Sequence, residues 1–303
     1  MTGPVWVSGE ALIDLLPGPN GDTLQVVAGG GPANTALALA KLGADVKFVH
    51  GISKDRFGQQ IVEQFLAAGV DLELAVWSEL PTALAIVSLD DQRVATYHFH
   101  LRETATFDFD PSSLPGPEIE QPSVLYVGSL STLIEPGASH LFEWAKQVAV
   151  IAQVVFDPNV RPSVLSNRTE YLVAVQRWLE IANVVKVSED DLSFLYPKSD
   201  LITSARSWLS PSRPLIVVTR GENGLMGVTQ DEVAEVPAVR VPIVDTVGAG
   251  DTVGAVIVEA LTKFGVNDLH GRLLQMTLTR AARAAAITCS RAGCQPPSAA
   301  ELD

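Results

Sequence analysis

The chain has 303 residues, 47% of them hydrophobic and 18% charged, with a formal charge of −14 at neutral pH. That length suits two domains or one large α/β domain, and the composition fills a sizeable core and shows no disorder signature. So acidic a surface repels nucleic acid and anionic membranes, which excludes both as expected partners, and any phosphate ligand must be held by local backbone dipoles and a few cations.

No basic stretch precedes the first apolar run and no run reaches the roughly 18 residues of a membrane span, so a soluble cytoplasmic protein is expected. Residues 5–14 read as a strand that leaves the core and ends at the polar Asp14, followed by a turn over 17–22. After the glycines at 29–31, a helix over 32–42 opens on Pro32 and stops at Gly43. A strand at 46–50 and an amphipathic helix over 55–68 come next, the latter with Ile61, Phe65 and Ala68 on one face. Two β-type runs, 83–89 and 94–100, flank a turn at Asp90-Asp91-Gln92. With the segment near 14–27 they form a small separate sheet, a lid.

From about 123 onward strand and helix alternate: strands at 124–127, 154–157, 184–187 and 215–219, helices at 138–149, 169–182, 189–195 and 200–209. Such alternation predicts a doubly wound, mostly parallel sheet covered by helices on both faces. A hairpin over 225–236 and two helices, 250–264 and 268–288, complete the chain.

The strongest chemical signal is Asp245-Thr246-Val247-Gly248-Ala249-Gly250-Asp251-Thr252-Val253-Gly254-Ala255. An apolar strand-like run ends at Asp245, small residues follow, and a helix begins. The N–H groups of Gly248, Ala249, Gly250 and Asp251 would point out of a helix N-terminus, a ready anion site, and glycine lets a phosphate approach the main chain. A carboxylate planted there, Asp251, should stay ionised and suits the removal of a proton from an attacking hydroxyl. The blander alternative is a glycine-rich helix start with Asp251 as a cap; the second acid at 245 and Gly254 one turn inside argue against it. The spacing of Gly248, Gly250 and Gly254 is a cousin of the dinucleotide fingerprint, but a second helix follows where that pattern needs a strand carrying an acid. The GxxxxGK[ST] phosphate loop is absent.

Other residues have plainer readings. His98 and His100 share a strand face but have no third metal ligand. Trp6, Trp77, Trp144, Trp178 and Trp208 sit singly, like core anchors. Lys41 and Lys47 are expected on the solvated surface. Part of the acidity of Glu189, Asp190 and Asp191 offsets a helix dipole. Cys289 and Cys294 are the two cysteines, too few for a disulfide framework and without the partners of a zinc site, which fits a reducing compartment.

The run at 245–255, with Gly29-Gly30-Gly31-Pro32-Ala33-Asn34-Thr35-Ala36 and Gly51-Ile52-Ser53-Lys54-Asp55-Arg56-Phe57-Gly58, resembles the two signatures of the ribokinase-like (pfkB) carbohydrate kinases. The likeness runs in order from Asp14 to Pro297. Gly9-Glu10-Ala11-Leu12-Ile13-Asp14, Asp157-Pro158-Asn159-Val160-Arg161 and Cys289-Ser290-Arg291-Ala292-Gly293 look most like the fructokinase branch. The resemblance implies a single kinase domain over 1–303, with lid segments at about 10–28 and 82–103. It implies a reaction between ATP and a sugar primary hydroxyl, with Asp251 as base beside Gly248, Ala249, Gly250 and Arg161. Asp14, Gly30, Gly31, Asn34, Arg102, Arg161 and Asp251 match sugar-side positions. Lys186, Ser188, Asp191, Thr219, Gly221, Gly224, Gly248 and Gly250 match nucleotide-side positions, with Asp191 ordering a Mg²⁺ water shell. Asp245 and the main chain of Val247, Cys289, Ala292 and Cys294 match a site for a monovalent cation such as K⁺. Ser188 and Asp191 stand where many members carry Asn and Glu, and Ala282 where relatives often carry Asn or His beside the adenine, which leaves nucleotide selectivity open. A homodimer through the lid is expected. Fructose is the leading substrate; 2-keto-3-deoxygluconate, ribose or a nucleoside, and a non-catalytic sugar- or nucleotide-sensing protein, are the alternatives.

Overall fold

Val5–Ser8 is buried along its whole length, as a strand must be when helices cover both faces of its sheet. In the structure, a computed structural model describing residues 3–18, 23–89 and 95–302, this is β1 at the heart of a large sheet. The chain then leaves that sheet, so 5–14 is not one strand: β2 (Leu12–Pro17) pairs with β3 (Leu24–Gly29) in a second sheet. The break has a local cause. Gly9 takes φ 145 with Pro32 packed where a side chain would stand, and the buried Glu10 carboxylate turns inward to accept from the Ser131 N–H and hydroxyl at 3.1 and 2.8 Å.

Gly30, at φ 111, leads into α1 (Gly31–Lys41), which has Pro32 in its first turn. Next come β4 (Val46–Phe48), β5 (Gly51–Ser53) and α2 (Arg56–Ala68), the helix capped by Asp55, which accepts from the Gly58 N–H at 2.7 Å. β6 (Val76–Ser78) pairs with β5, and β7 (Leu84–Leu89) and β8 (Ala95–His100) complete the second sheet in the order β3-β2-β7-β8. The turn expected at 90–92, and the part of the 17–22 turn over 19–22, lie outside the described residues; Pro17 itself closes β2.

The second half alternates as expected: β9 (Val124–Gly128), α3 (Gly137–Val148), β10 (Gln153–Asp157), α4 (Arg168–Leu179), β11 (Val184–Ser188), α5 (Glu189–Leu195), α6 (Leu201–Arg206) and β12 (Leu215–Thr219). The hairpin β13 (Leu225–Val228) and β14 (Val233–Val236) precedes α7 (Ala249–Phe264), α8 (Gly271–Cys289) and the short α9 (Ala299–Leu302). Among the described residues, eight strands form one sheet in the order β14-β13-β12-β11-β10-β9-β1-β4, parallel except for the hairpin. One core, with Leu37, Ile61, Val256 and Leu278, fills the face under α1, α2, α7 and α8; the other, with Trp6, Leu141, Trp178 and Leu192, fills the face under α3 to α6. The chain therefore winds both ways from β1 and β9, and open sheets of this kind bind ligands beyond the carboxyl ends of their strands at that switch.

Four local expectations are corrected. Residues 241–244 form no strand, and Ile243 and Val244 are 64% and 61% exposed. Pro242 has no N–H to give a ladder, and the Val244 and Asp245 amides donate to the Cys289 carbonyl instead. Lys47 is buried, its ammonium within 3.3 Å of Asp71 and 3.0 Å of Glu73 and Glu120. Burial opposes that charge, but hydrogen bonds to the three acids outweigh it and push the pKa up. Trp77 is 47% exposed and anchors no core. Trp6 and Trp144 do not stand singly: their rings stack with centroids 6.0 Å apart.

Candidate active site

The head of α7 turns on one small residue. Gly248 takes the left-handed φ of 78, and the Cys294 thiol packs where its side chain would be; a larger residue would be both strained and blocked. From there, among the described residues, the N–H groups of Gly248, Gly250 and Asp251 donate to no protein acceptor. The Ala249 N–H differs from expectation: it turns back to the Thr246 carbonyl at 3.3 Å. Three unspent amides at the positive end of a 16-residue helix make an anion site.

Asp251 lies in this ring and is 8% exposed. Its Oδ2 accepts from Nδ2 of Asn34 at 2.8 Å, and its Oδ1 lies 3.5 Å from the point a side chain on Gly31 would occupy. Asp251 is expected to stay ionised, and burial works against that. Burial dominates and pushes its pKa up to about 6, while Lys186, the Asn34 hydrogen bond and Arg161 pull it down and Asp157 adds to the rise. A carboxyl that titrates near neutrality can take a proton from a neighbouring hydroxyl.

Lys186 comes from β11, is buried, and pairs with Asp157 Oδ2 at 2.8 Å. The Tyr126 hydroxyl donates to the same oxygen at 3.1 Å, and Asp157 Oδ1 is buried with no protein partner. Nζ of Lys186 is 3.0 Å from where a Gly250 side chain would begin, so only glycine at 250 lets the ammonium lie against the helix head.

On the opposite side, Asp14 on β2 is half-buried beside Gly29, whose absent side chain would meet the Asp14 carboxylate at 2.5 Å. Burial pushes the Asp14 pKa up to about 6 against the pull of Arg161. Gly30 leaves room for the Glu10 carbonyl, and Gly31 faces the Asn159 amide, 2.9 Å from its would-be side chain. Asn159 was not singled out from the sequence beyond its motif. Its φ of 39 is uncommon for a residue other than glycine, and its place two residues beyond the sheet-end Asp157 was the signal to follow. Arg161 follows it, exposed, with Nη1 on the Val160 carbonyl at 3.1 Å and its charge felt by both Asp14 and Asp251. Arg102 stands apart. β8 ends at His100, and Arg102 is exposed on the turn beyond it, with no hydrogen bond or ion pair among the described residues. His98 and His100 are exposed on their strand.

Beyond the helix head runs a groove of about 930 Å³, lined by Thr219, Gly221, Gly224, Ala249, Gly250 and Ala282 among others, with Val239 and Ile243 on its wall. The groove accounts for the exposure of Ile243. Its glycine edge and unspent amides fit a nucleotide triphosphate tail. Ser188 and Asp191 do not line it. They form a capping box, with the Ser188 hydroxyl accepting from the Asp191 N–H and Asp191 Oδ2 from the Ser188 N–H, each at 3.0 Å, while Asp191 Oδ1 accepts from the Val160 N–H at 2.9 Å. Each oxygen of this buried carboxylate accepts one of these tethers, which hold Asp191 outside the groove.

Asp245 closes the adjoining loop: Oδ1 accepts from the Val247 N–H at 3.0 Å and Oδ2 from the Gly293 N–H at 2.9 Å. The Cys289 carbonyl accepts from the Val244 and Asp245 amides, so its lone pairs are spent and it is corrected as a cation ligand. The Ala292 carbonyl takes the Gln295 amide at 3.0 Å. The Asp245 carboxylate therefore bridges the turn before α7 and the loop after α8.

A family model described as pfkB family carbohydrate kinase matches residues 5–301. Among curated proteins, the chain is 33% identical over 297 residues to a fructokinase of Salmonella typhimurium, covering 97% of this chain and 95% of that one. Among solved structures it resembles a fructokinase with bound ATP from Xylella fastidiosa, with a TM-score of 0.89 and 27% identity over 99% of this chain and 96% of that one. A Vibrio cholerae fructokinase double mutant with fructose, ADP and a potassium ion bound gives a TM-score of 0.84 at 26% identity, over 99% and 97% of the two chains.

Proposed function

The chain belongs to the pfkB family of carbohydrate kinases, and from that premise we propose that it phosphorylates D-fructose with ATP, giving fructose 6-phosphate and ADP. The observation that carries the proposal is the placement of Asp251: a buried carboxyl at a helix head with unspent amides, between the Asn34 and Gly31 side and the groove. Relatives and structural neighbours that bear the fructokinase name support fructose as the sugar.

In this reading the sugar lies between the lid strands and α1, with Asp14, Gly30, Gly31 and Asn34 toward its hydroxyls. Asp251 removes the proton from the primary hydroxyl, and that oxygen attacks the γ-phosphorus in line. The amides of Gly248, Gly250 and Asp251, with Arg161, take up charge spread over the phosphoryl oxygens. Mg²⁺ held with the nucleotide supplies further neutralisation of that charge. A K⁺ ion at Asp245 and the Val247 and Cys294 carbonyls would strengthen the positive field at the helix head. The lid shields the activated hydroxyl, because an open site would pass the phosphoryl group to water.

The same reading takes the chain as one kinase unit with the lid as a small β subdomain, acting in the cytoplasm. It forms a homodimer through the lid: β3 is an edge strand with Leu24 and Val26 exposed, a face that invites pairing. Light scattering of the purified protein, with and without Leu24→Lys, tests the dimer. ADP release over a panel of fructose, 2-keto-3-deoxygluconate, ribose and nucleosides tests the activity. Highest kcat/KM with fructose is expected. A higher value with another sugar would reassign the substrate, and no ADP with any of them would contradict catalysis.

A further inference from the structure

An ammonium carries three N–H donors, yet the buried Lys186 spends one, on Asp157 at 2.8 Å; the others meet no protein acceptor among the described residues. Asp157 is fixed in turn by the Tyr126 hydroxyl at 3.1 Å. Nζ lies 3.0 Å from the would-be side chain of Gly250, the residue next to Asp251. A structural ion pair alone explains neither the approach to the helix head nor the unspent donors, and burying charge without full pairing is costly.

We propose that Lys186 is a positioning residue: clamped by Asp157 and Tyr126 against Gly250, its ammonium keeps Asp251 charged once sugar and nucleotide have excluded water. This rests on the reading of Asp251 as the base. The groups that face Asp251 are Asn34 from α1, Tyr126 from β9, Asp157 from β10, Lys186 from β11, Arg161 beyond β10 and Cys294 in the C-terminal loop. Of the two cations, Arg161 is exposed and screened by water and salt, whereas Lys186 is buried and keeps its full effect. Asp157 has the opposite sign, so the pair makes a two-way test.

The experiment is the pH dependence of kcat, with ATP and fructose, for the wild type, Lys186→Met, Lys186→Arg and Asp157→Asn, with folding checked by circular dichroism. Losing the ammonium makes Asp251 hold its proton to higher pH, so Lys186→Met should raise the pH of half-maximal rate by on the order of one pH unit. Lys186→Arg should restore most of that shift. Asp157→Asn, which keeps the shape and removes a neighbouring negative charge, should lower the half-maximal pH. Opposite movements are the signature, since a structural lesion would lower the rate without them. A folded Lys186→Met with an unmoved acid limb overturns the proposal, as does an Asp157→Asn limb that stays or moves up. Should Lys186→Met not fold, Asp157→Asn decides alone. A wild type with no acid limb at all sinks the assignment of Asp251, and this inference with it; a wild-type limb that neither variant shifts sinks this inference only.

Discussion

Nδ2 of Asn34 donates to Oδ2 of Asp251 at 2.8 Å across 217 positions of sequence. The bond ties α1, which starts from the glycine run below the lid, to α7, which heads the groove, and in the proposed reading it aims the carboxyl toward the sugar. Removing it with Asn34→Ala should lower kcat/KM roughly tenfold or more, the worth of a hydrogen bond to a charged group. Steady-state ADP release measures this, and an unchanged value would show that Asn34 orients nothing.

Asp14 and Asp251 are both pushed up to about 6 by burial. Below that pH each takes a proton, and in the proposed reading the sugar site loses both a hydroxyl acceptor and its base. The logarithm of kcat/KM for the sugar should therefore fall with a slope approaching two on the acid side of the profile. A slope of one would mean that only one of the pair matters for capture and turnover.

The raised pKa of Asp251 has a cost in stability. The folded protein binds this proton more tightly than the unfolded chain, so stability falls as pH rises from the ordinary carboxylate value of 3.8 through about 6, and the deficit persists above that. Asp251→Asn imitates the protonated form. It should unfold at higher denaturant than the wild type at neutral pH, by on the order of 3 kcal/mol, with the gap closing as pH drops below the unfolded pKa. Urea titrations at neutral and acid pH measure it, and a variant less stable than wild type at neutral pH would contradict the sign.

A methyl group on Gly31 would stand 2.9 Å from the Asn159 amide and 3.5 Å from the Asp251 carboxylate. Its backbone is helical, so Gly31→Ala should fold, because the Asn159 side chain can give way. The methyl intrudes where the sugar is read to lie, and KM for the sugar should rise on the order of tenfold with KM for ATP little changed. Equal effects on both substrates would place the sugar elsewhere.

Much of this was legible in the sequence. The alternation after residue 123 gave the parallel sheet because buried strands and amphipathic helices differ in period, and the run at 245–255 gave the helix head because glycines, small residues and an acid have little other reason to stand together. What was not legible depended on the third dimension. The apolar run before Asp245 reads as a strand, but Pro242 and the Cys289 carbonyl divert it. Lys47 reads as surface, and only the fold brings Asp71, Glu73 and Glu120 around it. Asp191 reads as one of three acids opening a helix, and only the fold brings the Val160 amide to it from the loop after β10. Asn159 carried no periodic signal, and its position beside Gly31 exists only once the loop after β10 folds against the start of α1.

Turnover by Asp251→Asn, measured beside nucleotide binding, tests the central assignment most directly. The carboxamide keeps the shape of Asp251 and its bond from Asn34 but cannot take a proton. Turnover with ATP and fructose should fall by ~10³-fold while the variant binds MgATP as tightly as the wild type; a folded variant that turns over at the wild-type rate would contradict it.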